Sequence, residues 1–597
     1  MAARRETLVT LAGLVLVGTL AGSTAPVAAA PRQTSKQPVA TGYLGAVATV
    51  DPEATRAGVE VLRRGGNAVD AAVAAAAVLG VTEPYSAGIG GGGFFVYYDA
   101  RTGRVHTIDG RETAPQRMRE DSFIDPATGQ PMKFEDAVSS GLSVGVPGTP
   151  LTWDRALRRW GTTSLAQALR PAIRIAERGF VVDETFRQQT AENEKRFREF
   201  TSTRELFLPG GEPPRVGSVF RNPDLAATYR EIARHGVGVL YRGELGRDIV
   251  RTVQHPPVAP GVTRKVAPGL LETSDLARYT APLREPTHVT YRGLDVYGMA
   301  PPSSGGSTVG EALNILERYD LSAMSRTQAL HHYLEASRLA FADRNRWVGD
   351  PDFVKVPLQE LLSQGFAAER ACLIRPDRAL QSPIAPGEPD GRYAGCPAAG
   401  TGAREPYEGW STTHLTVADR WGNVVAYTLT IEQTGGSGIV VPGRGFLLNN
   451  ELTDFNFVPL QAGVPDPNLP GPGKRPRSSM SPTIVLRDGR PLLAVGSPGG
   501  ATIITTVLQI LVSRVDLGMS LPEAVAAPRA SQRNGASTEA EPAFETGGLT
   551  ALGHRFQQRE EIGAATGIEF LTGHRMTAVA EPTRRGGGSA MVVAPKH

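Results

Sequence analysis

The chain is poor in cysteine, with two in 597 residues, and aromatic residues make up only 6% of its composition. A disulfide-rich scaffold and a four-cysteine zinc site are therefore excluded. Neither sign of charge is in excess, because 63 basic and 60 acidic residues leave a net charge of +3. With no basic stripe among aromatic residues, nucleic acid is not an expected partner. After residue 30, no apolar run reaches the roughly 18 residues of a membrane-spanning helix, so no stable membrane anchor is expected.

The first thirty residues have the pattern of an export signal. Arg4 and Arg5 precede an apolar stretch from Leu8 to Leu20, and small residues follow at 27–30. This pattern is typical of a signal peptide, here with cleavage after Ala29. We expect a leader over residues 1–29 and a secreted or periplasmic mature protein. The general and the twin-arginine export routes both remain open, and an uncleaved signal anchor is the alternative.

Hydrophobic residues make up 41% of the chain, which is enough for a sizeable core. Apolar spacing predicts helices at 52–64, 68–79, 164–178, 308–319 and 326–346. Alternation predicts strands at 94–98, 288–296 and after 412. Segments rich in proline and glycine, 382–402 and 461–476, are expected to form exposed loops.

A β-hairpin is predicted around Trp421, where turn-forming residues separate two stretches of strand-like sequence. Thr412 and Thr430 each lie nine residues from Trp421, so the hairpin makes them a cross-strand pair on one face. Glu432 follows two residues later and shares that face. The opposite face of the second strand is an apolar row fit for a core: Val425, Tyr427, Leu429 and Ile431.

Thr412 suits the chemistry of a chain that cuts itself. An N-terminal threonine is activated by its own α-amine, whose ordinary pKa of about 7.7 to 8.0 is close to ideal for a base at neutral pH. Release of that amine requires cleavage between Ser411 and Thr412, by attack of the Thr412 hydroxyl on the Ser411 carbonyl and hydrolysis of the resulting ester. An isolated threonine in a strand is usually structural, so the surrounding motifs must decide.

Those motifs resemble the γ-glutamyltranspeptidases over nearly the whole mature chain. They lie at 82–84, 88–94, 108–112, 342–344, 349–353, 412–414, 445–451, 474–483 and 496–500. The resemblance implies an α+β fold, the four-layer αββα sandwich of the N-terminal-nucleophile hydrolases. It implies a precursor cut into a large subunit, 30–411, and a small subunit, 412–597. No metal or cofactor is implied.

The resemblance also implies roles for individual residues. Thr412 matches the nucleophile and Thr430 the hydroxyl that tunes it. The backbone N–H groups of Gly499 and Gly500 match the oxyanion hole. Arg111, Ser478 and Ser479 match the clamp on the α-carboxylate of the donor. Glu432, Glu451 and Asp454 match the groups that receive its α-ammonium.

The implied function is γ-glutamyl transfer and glutathione hydrolysis, with γ-glutamyl donors and amino-acid or peptide acceptors as partners. A β-lactam side-chain acylase on the same scaffold is the closest alternative, because the segment between Asp454 and Ser478 is short and suggests a reduced lid. A binding protein that is never cut is a second alternative. A serine hydrolase using Ser143 in its Gly-x-Ser-x-Gly pattern is a third.

Three further patterns in the sequence point to other chemistry. Gly88, Gly90 and Gly93 match a dinucleotide-binding spacing, but a predicted helix precedes them where a strand is required. His331 and His332 are adjacent, which gives no support to a zinc site. Cys372 and Cys396 either pair or remain as two buried thiols.

Overall fold

The structure is a computed structural model that describes residues 35–393, 395–403, 405–406, 408–409 and 411–595. The leader predicted over residues 1–29 lies outside the described residues. No helix in the described part of the chain is long and apolar enough to span a membrane.

Eighteen α-helices and eighteen β-strands are described. The helices are α1 Pro52–Arg63, α2 Ala68–Thr82, α3 Phe134–Val138, α4 Thr149–Trp160, α5 Leu165–Arg178, α6 Glu184–Phe197, α7 Thr201–Phe207, α8 Pro223–His235, α9 Gly238–Tyr241, α10 Glu244–Gln254, α11 Thr273–Arg278, α12 Gly305–Leu316, α13 Arg326–Trp347, α14 Leu358–Leu361, α15 Gln364–Ala371, α16 Thr502–Val515, α17 Leu521–Ala526 and α18 Gly547–Ala551. The strands are β1 Val39–Thr49, β2 Gly92–Asp99, β3 Arg104–Gly110, β4 Phe180–Val181, β5 Val219–Phe220, β6 Leu283–Arg284, β7 Thr287–Tyr291, β8 Leu294–Gly298, β9 Thr413–Asp419, β10 Val424–Thr430, β11 Thr483–Arg487, β12 Arg490–Gly496, β13 Ala530–Ser531, β14 Thr538–Ala540, β15 Phe556–Gln558, β16 Thr566–Phe570, β17 Met576–Ala580 and β18 Ser589–Pro595.

Thirteen of these strands form one curled antiparallel sheet. Its order is β6-β3-β2-β10-β9-β1-β17-β16-β12-β11-β8-β7, with β18 also paired to β1. The sheet folds over so that β9 packs against β16 and β10 against β12. The hairpin of β9 and β10 therefore lies in the middle of one half of the sheet, facing the other half.

Three apolar clusters show how the layers are stacked. The first joins the outer face of β2, β9 and β10 to helices that include α1, α2, α4 and α5. The second joins β7, β8, β11 and β12 to α12, α13, α16 and α17. The third lies between the two halves of the sheet and contains residues such as Phe94, Ala426, Ile484 and Ala494. Helices therefore cover both outer faces of two packed sheet layers, which confirms the αββα sandwich.

The predicted helices are present, but one begins and ends earlier than predicted. α12 begins at Gly305 rather than Thr308, because Gly305 and Gly306 form its first turn. A Cβ on Gly305 would overlap the Met480 carbonyl oxygen, so close packing requires glycine at this position. Glycine has a low helix propensity, and the sequence pattern therefore did not predict that the helix begins here.

The alternating stretch 288–296 contains a tight turn between β7 and β8. Arg292 adopts a φ of 51° at this turn. Its guanidinium donates to the carbonyl oxygen of Tyr319 at 2.5 Å and pairs with Asp516 at 2.9 Å. These long-range contacts stabilise a left-handed backbone conformation at Arg292, which the local sequence does not predict.

Candidate active site

The hairpin has the predicted register. Leu429 lies opposite Thr413 in the β9–β10 ladder, and one further step places Thr430 opposite Thr412. The two hydroxyl oxygens are 3.3 Å apart. The Asp419 carboxylate organises the turn by accepting hydrogen bonds from the backbone N–H groups of Trp421 and Asn423. The apolar row predicted on the opposite face lies in the first cluster.

Two threonine hydroxyls donate to the carbonyl oxygen of the bond that is expected to be cut. Thr412 Oγ1 donates to the Ser411 carbonyl oxygen at 2.5 Å, and Thr430 Oγ1 donates to the same oxygen at 2.8 Å. The Glu432 N–H donates to Thr430 Oγ1 at 2.9 Å, which orients the hydroxyl towards Ser411. All of these groups are buried. The prospective nucleophile therefore lies beside the carbonyl carbon that it must attack.

Hydrogen bonds with Arg585 and Ser86 hold Ser411 and Thr412 in place. Arg585 donates to the Thr412 carbonyl oxygen at 2.7 Å and to Ser86 Oγ at 2.8 Å. Ser86 Oγ lies 2.8 Å from Ser411 Oγ. Sequence reasoning missed Arg585 and Ser86, because both are distant from Thr412 along the chain.

Glu432 lines the same cavity as Thr412 and Thr430. It does so although β10 ends at Thr430, because Glu432 turns inward with a φ of 79°. Burial and the charges of Asp454 and Glu451 raise the pKa of Glu432 well above its ordinary value. Its neighbour Asn450 donates a hydrogen bond to this carboxylate.

Arg111 is fully buried and engages acids that the sequence assigned to the donor's ammonium. Its guanidinium contacts Glu451 and lies 2.5 Å from Asp454. It also donates to the carbonyl oxygens of Pro476 and Arg477 at 3.1 and 2.9 Å. The structure thus brings the predicted carboxylate clamp and the predicted ammonium acids together as one ion-pair cluster.

The acids around Arg111 are more numerous than its single charge can neutralise. Burial raises the pKa of Glu451 to about 7, although Arg111 opposes the shift. Burial and the charge of Glu451 raise the pKa of Glu112 well above its ordinary value. The sequence analysis did not single out Glu112, although it follows Arg111 directly. The cavity is suited to a cation, because an entering ammonium favours ionisation of these acids.

Gly499 and Gly500 lie just before the N-terminus of α16. Their φ values are 134° and 58°, a backbone region in which glycine is favoured. Their carbonyls accept hydrogen bonds from Thr502 and Ile503 in the first turn of the helix. Gly500 lines the cavity with Thr412, while Gly499 lines a neighbouring cavity of about 590 Å³. The positive end of a 14-residue helix therefore lies close to the prospective reaction centre.

Ser478 and Ser479 also line the cavity, and Ser479 binds a carboxylate of the chain itself. Ser479 Oγ donates to the carboxylate of Glu408, which is 2.5 Å from Arg344. Sequence reasoning assigned no role to Glu408 or Arg344. The signal for Arg344 was its position in a matched motif, 342–344.

Among the described residues, none between 455 and 477 lines the cavity around Thr412. This segment contains no helix or strand and is held elsewhere, with Asn456 bonded to Asp466 at 2.9 Å and Asn468 to the Asp454 carbonyl at 2.7 Å. The reduced lid expected from the sequence stays a prediction.

The other sequence patterns have structural explanations. Ser143 is buried and its hydroxyl is 3.0 Å from the carbonyl oxygens of both Val138 and Ser140. α2 precedes the 88–93 glycine pattern, and a Cβ on Gly90 would overlap the Leu447 carbonyl oxygen. Cys372 and Cys396 form a disulfide, with Cα atoms 5.7 Å apart.

His331 lies in a buried group of possible metal ligands with Glu335 and His554, which sequence spacing did not reveal. Its ring nitrogens contact His554 at 2.8 Å and the Arg375 carbonyl oxygen at 2.7 Å. Glu335 pairs with Arg338 at 3.0 Å. Each of the three residues thus has a hydrogen bond or an ion pair within the protein. We therefore interpret His331, Glu335 and His554 as a structural network.

Comparison with known proteins agrees with this geometry. A sequence profile of the γ-glutamyltranspeptidase family matches residues 54–591. The glutathione hydrolase proenzyme of Bacillus subtilis (strain 168) is 40% identical over 523 residues, 86% of each chain. The acylase ACY 1 proenzyme of Pseudomonas sp. (strain V22) is 36% identical over 556 residues, which cover 92% of this chain and 93% of that protein. The cephalosporin acylase structure from Bacillus halodurans aligns with a TM-score of 0.81 at 29% identity, covering 97% of this chain and all of that one. The chain therefore belongs to the γ-glutamyltranspeptidase family of enzymes.

Proposed function

We propose that the protein is a self-processing γ-glutamyl hydrolase and transferase that acts on glutathione and related γ-glutamyl amides. The observation that carries this proposal is the pair of threonine hydroxyls, Thr412 and Thr430, on the Ser411 carbonyl oxygen. The family profile and the acid-rich cavity support the choice of a γ-glutamyl donor.

Processing begins with attack of Thr412 Oγ1 on the carbonyl carbon of Ser411. The C–N bond between the two residues breaks, the Thr412 nitrogen gains a proton, and an ester forms. Water then hydrolyses the ester and leaves a carboxylate on Ser411 and a free α-amine on Thr412. The large subunit would span 30–411 and the small subunit 412–597.

Catalysis repeats the same attack on a donor. The free amine of Thr412 takes the proton from its hydroxyl, and the oxygen attacks the γ-carbonyl of the donor. The N–H groups of Gly499 and Gly500, beside α16, stabilise the oxyanion. The leaving amine departs with the proton, and the γ-glutamyl ester passes to water or to the amine of an amino acid or peptide.

Two protein bands on a denaturing gel, with Thr412 as the first residue of the smaller fragment, are the expected result of processing. Hydrolysis of γ-glutamyl-p-nitroanilide should appear with the cut and not before it. Full activity in an unbroken chain would contradict the proposal. Export, supported by the 1–29 pattern, is tested by finding the processed enzyme outside the cytoplasm.

A side-chain acylase remains the second candidate, because the acylase relatives cover 92% and 97% of this chain and no described residue of 455–477 lines the cavity. An acylase has no need of the donor's α-ammonium. Equal or faster hydrolysis of glutaryl-p-nitroanilide than of the γ-glutamyl donor would favour it. We expect the γ-glutamyl donor to be preferred, because Glu432, Glu451 and Asp454 line the cavity.

A further inference from the structure

Arg585 holds a positive charge against the residue that is expected to become the catalytic N-terminus. Its Nη1 donates to the Thr412 carbonyl oxygen at 2.7 Å, and its Nη2 donates to Ser86 Oγ at 2.8 Å. Both partners are neutral oxygens, and no carboxylate among the described residues forms an ion pair with this guanidinium. The charge of Arg585 is therefore not neutralised by a close partner.

The turn that carries Arg585 is fixed by contacts of its backbone and of its neighbour. Arg585 adopts a φ of 53°, which is uncommon for a residue with a side chain. Its N–H donates to Glu561 at 2.9 Å, and its carbonyl oxygen accepts from Thr185 Oγ1 at 3.1 Å. The preceding residue, Arg584, is buried and pairs with Glu581 at 2.7 Å. These contacts fix the position from which the guanidinium reaches the reaction centre.

The contact between Arg585 and Thr412 does not depend on the bond that is expected to be cut. Both residues belong to the prospective small subunit, whereas Ser411 belongs to the large subunit. When Ser411 withdraws, the Thr412 carbonyl stays in place, because β9 begins at the next residue and pairs with β1 and β10. The nitrogen and the carbonyl oxygen of one residue are separated only by its Cα and carbonyl carbon. The new α-amine therefore forms close to the guanidinium.

The charge of Arg585 acts on this amine, which is the prospective base. A nearby positive charge favours the neutral form of an amine and lowers its pKa. An α-amine ordinarily titrates at about 7.7 to 8.0, so at neutral pH most of it is ammonium, which cannot accept a proton. The positive end of α16 acts in the same direction. Arginine stays charged throughout this pH range, so its position favours the neutral amine that Thr412 needs.

The acids of the donor cavity act on the amine in the opposite direction, but most of them have a cation of their own. The charged groups that line the cavity with Thr412 are one arginine and four acids: Arg111, Glu408, Glu432, Glu451 and Asp454. Arg111 contacts both Glu451 and Asp454. Glu408 is 2.5 Å from Arg344. These ion pairs reduce the effect of the carboxylates on Thr412.

Two further acids titrate at or above neutral pH. Burial and the charges of its neighbours raise the pKa of Glu432 well above its ordinary value, so this carboxyl group is neutral at pH 7. Burial raises the pKa of Glu83 to about 7, although the charge of Arg585 opposes the shift. Glu192 and Glu561 also act on Arg585 without forming an ion pair with its guanidinium. Because Glu83 titrates close to an α-amine, a test must separate the two groups.

We propose that Arg585 is a positioning residue that keeps the α-amine of Thr412 neutral at neutral pH, by holding a positive charge against the backbone of the same residue. This inference rests on the proposed function and deepens it, since the amine exists only after the cut. Arg585 does not line the donor cavity. Its loss should therefore change the pH range of activity and not the choice of donor.

The pH profile of kcat for γ-glutamyl-p-nitroanilide tests this role in the processed wild type. kcat reports on the enzyme with donor bound, when the donor's ammonium engages the cavity acids. Attack on the donor and hydrolysis of the ester both need the neutral amine. We expect kcat to fall on the acid side with an apparent pKa below the value of about 7.7 of an ordinary α-amine. An apparent pKa at or above that value would overturn the proposal.

R585Q removes the charge and keeps a hydrogen-bond donor for the Thr412 carbonyl. We expect the apparent pKa to rise by about 1 unit, which lowers kcat about 10-fold at about pH 6 and leaves the alkaline plateau and KM unchanged. R585K keeps the charge and should keep the wild-type profile. An unshifted profile in R585Q, an equal loss of kcat at every pH, or the same shift in R585K would overturn the proposal.

R559Q is the matched control. Arg559 lines the same cavity of about 590 Å³ as Arg585, but it pairs with Glu539 at 2.8 Å. Its substitution should leave the pH profile as in the wild type. A shift in R559Q as large as that in R585Q would show that any charge in this cavity has the effect, and would overturn the specific role of Arg585.

E83Q separates the amine from Glu83 and leaves Arg585 in place. We expect the acid-side fall of kcat to remain, at the wild-type pH or lower, because loss of a negative charge near Arg585 favours the neutral amine. Disappearance of the fall would show that Glu83 is the titrating group and would overturn the proposal. The wild-type and E83Q profiles decide the question if the Arg585 variants fail to process.

Loss of this inference and loss of the proposed function are distinguishable. A wild type that is never cut, or that is cut and never hydrolyses the γ-glutamyl donor, contradicts the proposed function. A wild type that is cut and active, with an unshifted profile in R585Q, contradicts only the role of Arg585.

Discussion

Thr412 directly precedes β9 and Thr413 is its first residue, and alternation along the strand directs their side chains to opposite faces. Thr412 Oγ1 donates to the Ser411 carbonyl oxygen, whereas Thr413 Oγ1 is buried without a hydrogen-bond partner among the described residues. Alternation along a strand explains this difference and was readable from the sequence. The ion pairs around the site were harder to predict. Arg111 pairs with Glu451 and Asp454, which were expected to bind the donor's α-ammonium instead.

Replacement of Thr412 by alanine should leave the protein as a single chain, because the attacking oxygen is lost. Thr412→Ser should still be cut, since a hydroxyl remains. Thr413→Ala is the control and should be processed as the wild type is. A denaturing gel measures all three, and a T412A protein that separates into two bands would contradict the assignment.

The pH dependence of donor selection should report on Glu451, whose pKa burial raises to about 7. Below this pH the carboxyl group is neutral and cannot pair with a donor's α-ammonium. We therefore expect the ratio of kcat/KM for γ-glutamyl and glutaryl donors to fall as the pH decreases through about 7. The Thr412 amine affects both donors alike, so the ratio isolates the effect of the acids.

Glu451→Gln should flatten this ratio, because the glutamine side chain does not titrate. Asp466→Asn is a suitable control, since Asp466 bonds to Asn456 and does not line the donor cavity. A ratio that still falls through pH 7 in E451Q would show that another group is responsible.

At the scale of elements, the hairpin of β9 and β10 sets the distance between the nucleophile and Thr430. Its register follows from the turn, and the turn depends on Asp419. Asp419 accepts from Trp421 and Asn423 in the turn and from Ala68 at the start of α2. The hairpin could be predicted because its turn and both of its strands lie within about twenty residues of sequence. α12 was misplaced because the packing of Gly305 against Met480 is long-range.

Asp419→Ala should lower the unfolding temperature and slow the cleavage between Ser411 and Thr412. The substitution leaves the buried N–H group of Ala68 without an acceptor, at a cost of roughly 1–3 kcal/mol. It also removes the part-buried hydrogen bonds to the turn N–H groups of Trp421 and Asn423. Thermal unfolding and the time course of cleavage on gels measure the two effects.

Asp125→Ala is the matched control, because Asp125 accepts a comparable 2.9 Å bond from Ala127 in an exposed turn. It should change neither quantity appreciably. An Asp419→Ala protein as stable and as quickly cut as this control would show that the turn does not set the hairpin geometry.

On the scale of the whole molecule, the proposed cut would fall inside a sheet that both prospective subunits build. β1 belongs to the large subunit but pairs with β9, β17 and β18 of the small subunit. β2 pairs with β10, and β8 pairs with β11, again across the two subunits. The disulfide between Cys372 and Cys396 lies entirely before Thr412. The subunits are therefore joined by hydrogen bonds and packing and not by this covalent link.

We expect the two fragments to elute together in gel filtration under native conditions and to separate only when denatured. Reducing agent should not alter the number of bands on the denaturing gel, because the disulfide joins residues of the same fragment. Separate elution of the fragments from a native, active preparation would contradict the shared sheet. Cys372→Ser with Cys396→Ser serves as the control, and its fragments should still elute together.

The sequence by itself predicted the hairpin and the pairing of Thr412 with Thr430, because these depend on local periodicity. The family and the αββα class that it implies followed from the resemblance of long contiguous motifs. Only the tertiary structure decided that Arg111 pairs with Glu451 and Asp454, that Arg585 holds Thr412 and that Glu408 lies against Arg344. These contacts join residues that are mostly far apart in the chain. Charge pairing depends on distance in space, and the distance is fixed only when the two sheet layers and their helices pack together.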